Sequence, residues 1–418
     1  VWSQFSDYDT SDGSEIFFDT LLGGLAGGGL AMLTPETFVG SRGDSWLASL
    51  GIAGGLTLGA LSAPGTDFTS EDQWLISFAT LYGGFSGAWI PYMWSPNSEN
   101  SNEREEYMIG GAMMGGALLG AAAMSVSQHL EFTTSDVQET ALGAIASNLF
   151  GAGVGLLIPA DDDDPRAWAT SMTGLGLVGT AATAWLAPQT DFSEGDRTLG
   201  LLTTAFSAWQ GVGASLLLDG TERQVAGATL ATTAIGAFAG AAIGQRTSLT
   251  TPEVVVAFSG SVWGAWLGGM GSLALGLEDN DLIGGYYVGS DVGILLSGLA
   301  LSPLGGFSPS RVGWINLAGL TGMAAGSALG AIFPQLPFWT TNVTFSALGL
   351  VGGTIWTHYN PQPNLFEDSN DTDSSDESTQ SSFPSPFGEV VALMPQVSVI
   401  PSQDNEPQVV FGLMGILH

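Results

Sequence analysis

The run VVVAFSGSVWGAWLGGMGSLALGL, from Val254 to Leu277, carries no charged residue. Within it Gly260, Gly264 and Gly268 recur at every fourth position. Wound as an α-helix, such a run covers the hydrocarbon core of a bilayer, about 30 Å for about 20 residues. The fourfold spacing lays its glycines along one flank, where another helix backbone can approach closely. A surface helix in water needs a polar stripe recurring at about 3.6 residues. Here that stripe is missing, and small neutral residues stand in its place.

Thr198 to Leu218 and Gln224 to Gln245 are uncharged in the same way. Helix-packing glycines recur in them and beyond: Gly111 with Gly115; Gly236, Gly240 and Gly244; Gly322, Gly326 and Gly330. Acidic clusters punctuate these intervals, among them Asp67 to Asp72, Asp191 to Asp196 and Glu278 to Asp281. The fold class expected is an all-α membrane protein of about twelve Gly/Ala-rich transmembrane helices. The pattern resembles the glycine zippers of many unrelated membrane proteins, which implies tight helix packing and no particular activity.

Five junctions give the helices a period. Phe68, Phe132, Phe192, Leu249 and Phe307 each precede a Ser or Thr, with an acidic residue following closely in the first four. A Ser/Thr hydroxyl accepts from a free first-turn amide, and a carboxylate suits the positive end of the helix dipole. The preceding apolar residue is placed as a hydrophobic staple. The anchors fall about 60 residues apart, the mark of a repeated structural unit. Six hairpins are expected: 14–34 with 43–62, 69–94 with 103–127, 134–158 with 164–187, 195–219 with 221–245, 251–277 with 280–303, and 309–333 with 338–358.

A spacing of four also lines one face of a β-strand. An outer-membrane β-barrel is therefore the alternative fold, each interval being cut into two strands of about 9–11 residues. Barrel strands alternate apolar with distinctly polar residues, whereas Ala226 to Gly244 has almost nothing polar beyond Thr.

The chain divides into an acidic N-terminal segment 1–13, a repeated helical-hairpin membrane domain 14–360, an acidic Ser/Asp-rich linker 361–388 and a β-prone tail 389–418. In the tail, Val390 to Ile400 and Gln408 to Leu417 flank a turn-rich stretch and read as a short β-hairpin.

Charge narrows the functional classes. The chain has 418 residues, with 40 acidic residues against 7 basic ones, for a net charge of −33. All the basic residues are Arg. Nucleic acid is not an expected partner, because phosphate binding needs clustered cations. Without Cys, thiol nucleophiles, disulfides and zinc–thiolate sites are excluded. Topology normally follows the Lys/Arg bias of short loops. Alternating helices would put Arg42, Arg104, Arg166 and Arg223 on one side and Arg197, Arg246 and Arg311 on the other, which sets no orientation. The expected location is an outer membrane or other cell-surface layer, with a halophile's cytoplasmic membrane as the alternative.

Candidate chemistry is sparse. Asp161, Asp162, Asp163 and Asp164 supply hard oxygen ligands for a divalent cation such as Ca²⁺, but without the EF-hand spacing. Gly174 to Gly179 matches a dinucleotide fingerprint yet sits in an uncharged helix, so these glycines read as packing residues. Arg42-Gly43-Asp44 matches an integrin-type tripeptide that chance readily supplies. His129 and His358 fall at helix ends and read as polar loop residues. Asp291 is the best ionisable residue inside an expected span, the usual pointer to a transport path. Neighbouring Gly289 and Ser290 would mark a break in its helix, and Asp19 reads as interfacial.

No catalytic set and no cofactor site is expected. The function expected is that of a non-enzymatic structural or pore-forming membrane protein. Its partners are the lipid bilayer and further copies of itself or other membrane subunits, gathered through glycine-zipper packing. A transporter or channel with a polar path near Asp291 and a secreted helical-toroid enzyme are the alternatives.

Overall fold

The computed structural model describes residues 10–34, 43–66, 68–94, 101–129, 132–159, 166–304, 307–360, 394–401 and 407–414. Among them twelve α-helices follow one another. They are α1 Thr10–Leu33, α2 Gly43–Ser62, α3 Ser70–Trp94, α4 Ser101–Ser127, α5 Thr134–Leu157 and α6 Arg166–Leu186. The second six are α7 Glu194–Leu217, α8 Glu222–Gly244, α9 Thr251–Ala274, α10 Asp279–Leu304, α11 Pro309–Ile332 and α12 Phe338–Tyr359. Two further segments, β1 Met394–Pro401 and β2 Pro407–Met414, pair antiparallel with Val397 opposite Phe411.

The β-barrel alternative is thus not what these segments adopt. Their glycines lie inside continuous helices. The sequence marks the helix starts, and the structure forms them by reciprocal capping. Thr133 and Asp136 close a capping box at α5, and Ser193 and Asp196 close one at α7. At α3 the Thr69 amide donates to Asp72 at 2.8 Å while the Asp72 amide donates back to the Thr69 hydroxyl at 3.3 Å. Each box satisfies amides that a helix start leaves without an intrahelical partner. Among the junction anchors Phe68, Phe132 and Phe307 are buried, and the first two share a cluster with Leu75, Ile76 and Val137.

Turns between hairpin arms are tight where the chain reverses in a left-handed residue. After α9, Gly276 takes φ +74°, and Leu277 donates back to the Ser272 carbonyl at 2.9 Å. After α7 the same turn is made by Asp219 at φ 53°, and Gly220 donates to the Ser215 carbonyl at 2.8 Å. These are Schellman-type endings, in which the left-handed residue lets later amides reach the last helical carbonyls.

Two compact units emerge, Val1–Ser248 with α1 to α8 and Leu249–His418 with α9 to α12. In the first, successive helices pack as hairpins α1/α2, α3/α4, α5/α6 and α7/α8. Hairpins then join through α1 against α4 and α5 against α8, and α3 packs on both α5 and α6. In the second unit the hairpins are α9/α10 and α11/α12, joined by α9 against α12 and α11.

Equivalent contacts recur along the first unit. The Thr66 hydroxyl donates to Glu15, and the Thr190 hydroxyl donates to Glu139 at 2.9 Å, each pair being 51 residues apart in sequence. Gly29 abuts the Gly110 carbonyl and Met114 backbone, just as Gly153 abuts the Gly227 carbonyl and Ala231 backbone. The shared contacts link hairpins in pairs, so the recurring structural unit holds four helices.

Apart from two clusters around Phe68, Ile76 and Phe132 and around Trp263, Trp266 and Met270, much of the interior is built from small residues, and many large apolar ones face outward. Ala63, Ala169, Ala234 and Ser346 are fully enclosed, whereas Leu81, Val178 and Leu295 are 76%, 69% and 64% exposed. This inverts the ordering of a water-soluble core. Among the described residues six helices are long and apolar enough to cross a membrane: α1, α4, α5, α8, α9 and α11. The expectation of about twelve such spans is narrowed accordingly. The remaining helices are richer in Thr, Ser, Tyr and Trp, or carry charge in their first turns, as α7 does with Glu194, Asp196 and Arg197.

Helix α1 begins at Thr10, inside the stretch read as a separate acidic segment. Asp12 and Glu15 sit buried in its first turns, where the helix dipole favours negative charge. Helix α10 runs through Gly289 and Ser290 without the expected break.

Candidate functional site

The residues singled out by spacing are packing residues within hairpins. A Cβ at Gly115 would strike the Gly83 carbonyl, and one at Gly111 the Gly87 carbonyl. Gly236 faces Thr203 and Ser207, Gly240 faces Gly200 and Thr203, and Gly244 faces Asp196. Gly260, Gly264 and Gly268 meet Gly293, Gly289 and Gly285 of α10. Gly322, Gly326 and Gly330 meet Phe345, Thr341 and Phe338 of α12. In every case the neighbour belongs to the other arm of the same hairpin. The arms approach closely because the glycine carries no side chain at the contact, and in α9/α10 both arms supply one.

The tetra-acidic run Asp161 to Asp164 lies outside the described residues, as does Arg42 of the tripeptide. Among the described residues no group of three or more His, Asp or Glu is placed to hold a metal ion. Within the fingerprint-like stretch, Gly176 and Gly179 pack against Asn148 and Ser147, and Gly174 faces open space. His129 is exposed, its Nδ1 2.9 Å from the Ser125 carbonyl. His358 is exposed beside the Tyr359 ring.

Asp291 is exposed on α10. The adjacent Ser290 is buried, and its hydroxyl lies 2.6 Å from that of Ser261 on α9. The flank of α10 that meets α9 is thus made by Gly285, Gly289, Ser290 and Gly293, and Asp291 lies off it.

Spacing alone missed the polar contacts between helices. Asn148 of α5 donates through Nδ2 to the Tyr82 hydroxyl of α3 at 2.9 Å, and both residues are buried. Asn316 of α11 accepts from the Trp263 indole at 2.8 Å and from the Ser259 hydroxyl at 2.6 Å. Asn342 of α12 donates to Ser327 of α11 at 2.6 Å. At helix ends, Arg223 donates through Nε to the Leu156 carbonyl at 3.0 Å, placing a cation at the negative end of α5. Arg311 stands in the first-turn position that Asp72 and Asp196 hold in α3 and α7. It is buried, with its guanidinium 4.3 Å from the centre of the Phe307 ring. A mid-helix aromatic such as Tyr82 or Trp263, read together with an Asn elsewhere in an uncharged run, is the sequence signal for these ties.

Most helix hydroxyls are satisfied locally. Thr80, Thr140, Thr180 and Thr204 each donate to the carbonyl four residues before, at 2.6 to 2.8 Å. Such bonds hide a hydroxyl from an apolar environment without a partner helix. The arrangement provides close packing and a few interhelical ties. No protein-family model, curated protein or solved structure matches the chain.

Proposed function

We propose that the chain is an integral membrane protein with a structural or pore-forming role, whose hairpins cross the bilayer of an outer membrane or other cell-surface layer. The reading rests chiefly on burial, with many small residues enclosed and a large number of Leu, Ile, Val and Trp side chains exposed. Exposed large apolar residues recur along α2, α3, α6 and α10, as with Leu50, Leu81, Val178 and Leu295, and in water such flanks would favour association. Lipid solvates them instead. The exposed aromatics Trp46, Trp74, Trp185, Trp356 and Tyr359 lie within the first or last two turns of their helices. Interfacial Trp and Tyr belong at that depth.

The helices form Gly/Ala-rich hairpins that recur as four-helix units, and the C-terminal β-hairpin is an appendage to them. Copies associate laterally through the exposed Leu and Trp flanks, because the zipper glycines are already engaged within each hairpin. Any divalent cation binds at the acidic loops. The chain performs no catalysis in this reading.

Bilayer insertion is tested with Trp fluorescence of the protein reconstituted in vesicles of brominated phosphatidylcholine. Strong quenching is the expected result. A protein that stays soluble without detergent and is not quenched would overturn the proposal. Cross-linking in the same vesicles tests association, a monomer at all protein-to-lipid ratios being the contrary outcome.

A further inference from the structure

We infer, building on the lateral association proposed above, that copies of the chain join head to tail. Helix α11 of one copy docks on the α1/α2 hairpin of the next, as α3 docks on α5/α6 within each chain.

The contact to be repeated is present in the first unit, where α3 lies on α5 and α6. The Tyr82 hydroxyl accepts from Asn148 at 2.9 Å, and the Asn148 carboxamide occupies the space beside Gly176. Two turns further along α3, the Trp89 and Trp168 rings meet with centroids 5.0 Å apart. Packed on α5 and α3, α6 buries Ala169, Thr173 and Gly176, whose spacing places them on one side of the helix.

The α1/α2 hairpin presents the same side to its surroundings. Ala63-Pro64 and Ala187-Pro188 end α2 and α6 alike, and in that alignment Ser49 and Ile52 stand where α6 has Thr173 and Gly176. Ser49 and Ile52 are exposed, Ile52 at 47%. The residues beneath are exchanged. The Ile52 side chain lies against Gly24, whereas Gly176 lies against the Asn148 side chain. An aliphatic knob thus replaces the carboxamide that Tyr82 meets.

Helix α11 matches α3 level for level. Ser308 caps its first turn as Thr69 caps that of α3, and Gly322 and Gly326 meet α12 as Gly83 and Gly87 meet α4. In this register Thr321, Ala325 and Ala328 stand where α3 has Tyr82, Ser86 and Trp89. Tyr82 and Ser86 are buried on their neighbours, whereas Thr321, Ala325 and Ala328 are exposed. The sizes complement each other. Helix α3 brings large rings to a surface of Ala169, Thr173 and Gly176, and α11 brings small residues to a surface that carries Ile52. Small residues on a helix in a bilayer let a second helix approach closely. The contact is heterologous, so successive copies build a ring where the rotation closes and an open row where it does not.

The chain contains no cysteine, so two introduced thiols report on a single contact. Full-length Ser49→Cys and Ala325→Cys proteins are mixed in phosphatidylcholine vesicles and oxidised. A disulfide dimer from the mixture, and little from either protein alone, is the expected result. Gly54→Cys, on a different side of α2, should give little dimer in place of Ser49→Cys. Equal yields from Gly54→Cys, or Ser49→Cys pairing with itself, would overturn the inference. In the same assay Thr321→Tyr should lower the yield about tenfold by crowding Ile52. Adding Gly24→Asn and Ile52→Gly rebuilds the Tyr82, Asn148 and Gly176 arrangement and should restore it. An undiminished yield in Thr321→Tyr would contradict the docking. Photobleaching counts the copies in these vesicles. Oligomers that lack the disulfide would overturn the two docking surfaces alone, and a monomer at every protein-to-lipid ratio would overturn lateral association as well.

Discussion

Hairpins α1/α2 and α5/α6 occupy corresponding places in the first unit, yet at one level they fill the same contact from opposite sides. In α1/α2, Asp19 projects against Gly59. At the corresponding level of α5/α6 the glycine is Gly143 and the larger residue is Thr183, across the interface. One turn on, Gly23 meets Gly55 where Ser147 meets Gly179. At the third level, Gly27 meets Leu47 and Ala48, and Gly151 meets Ser171 and Met172. Close approach thus requires one glycine at each level, while the arm that supplies it is free to change.

The largest effect is expected at the third level, where both hairpins need glycine in the same arm. Leucine at Gly27 or Gly151 would drive its Cβ into the opposing backbone carbonyl, which has no rotamer to yield. Each of Gly27→Leu and Gly151→Leu should destabilise its hairpin by about 3 kcal/mol. Unfolding by sodium dodecyl sulfate in mixed micelles measures this, and an unchanged midpoint would mean the backbones are not in contact.

The exchange at the first level makes a sharper test. Gly59→Thr alone places a side chain against Asp19 and the Ile16 backbone. Adding Asp19→Gly recreates the Gly143/Thr183 arrangement and should recover most of the loss. A coupling energy of about 1–3 kcal/mol between the two changes is expected from a double-mutant cycle. Simple additivity would show that the hairpins do not share a packing rule.

The helix starts should respond alike in both hairpin types. Ser193→Ala and Thr69→Ala each remove a hydroxyl that accepts a first-turn amide, and each should cost about 1 kcal/mol in the same titration. The smallest effect belongs to glycines that face open space, Gly54 in α2 and Gly174 in α6. Alanine there should stabilise by up to about 1 kcal/mol through helix propensity. A loss of stability at either position would indicate that a second copy packs on that flank.

The helices were legible because their signals are local. Ser193 with Asp196 and Thr250 with Glu253 can be read directly as helix starts, and the uncharged run from Val254 to Leu277 fixes the length of α9. The partners of the glycines were not legible. Gly264 could have met another chain as readily as α10, since a smooth flank carries no address. The four-helix recurrence was obscured for a related reason. Junctions at Phe68 and Phe132 look alike in composition, and only the Ala-Pro lead-in shared by Ala63-Pro64 and Ala187-Pro188 separates the two kinds. Asp291 drew attention as a charge in an uncharged run, whereas the buried polar groups Asn148, Thr173 and Ser86 are neutral and blend into the small-residue background.

Hydroxyls bonded to their own helices and glycines matched within their own hairpins have a consequence for how the protein reaches its membrane. Each hairpin of about 60 residues carries most of what it needs to be compatible with lipid: closed backbone bonds, hidden hydroxyls and a partner arm already in register. In the proposed membrane protein, insertion would therefore proceed two helices at a time, with no hairpin waiting for the next to be synthesised. Contacts such as Asn148 with Tyr82 would then act as latches between hairpins already inserted.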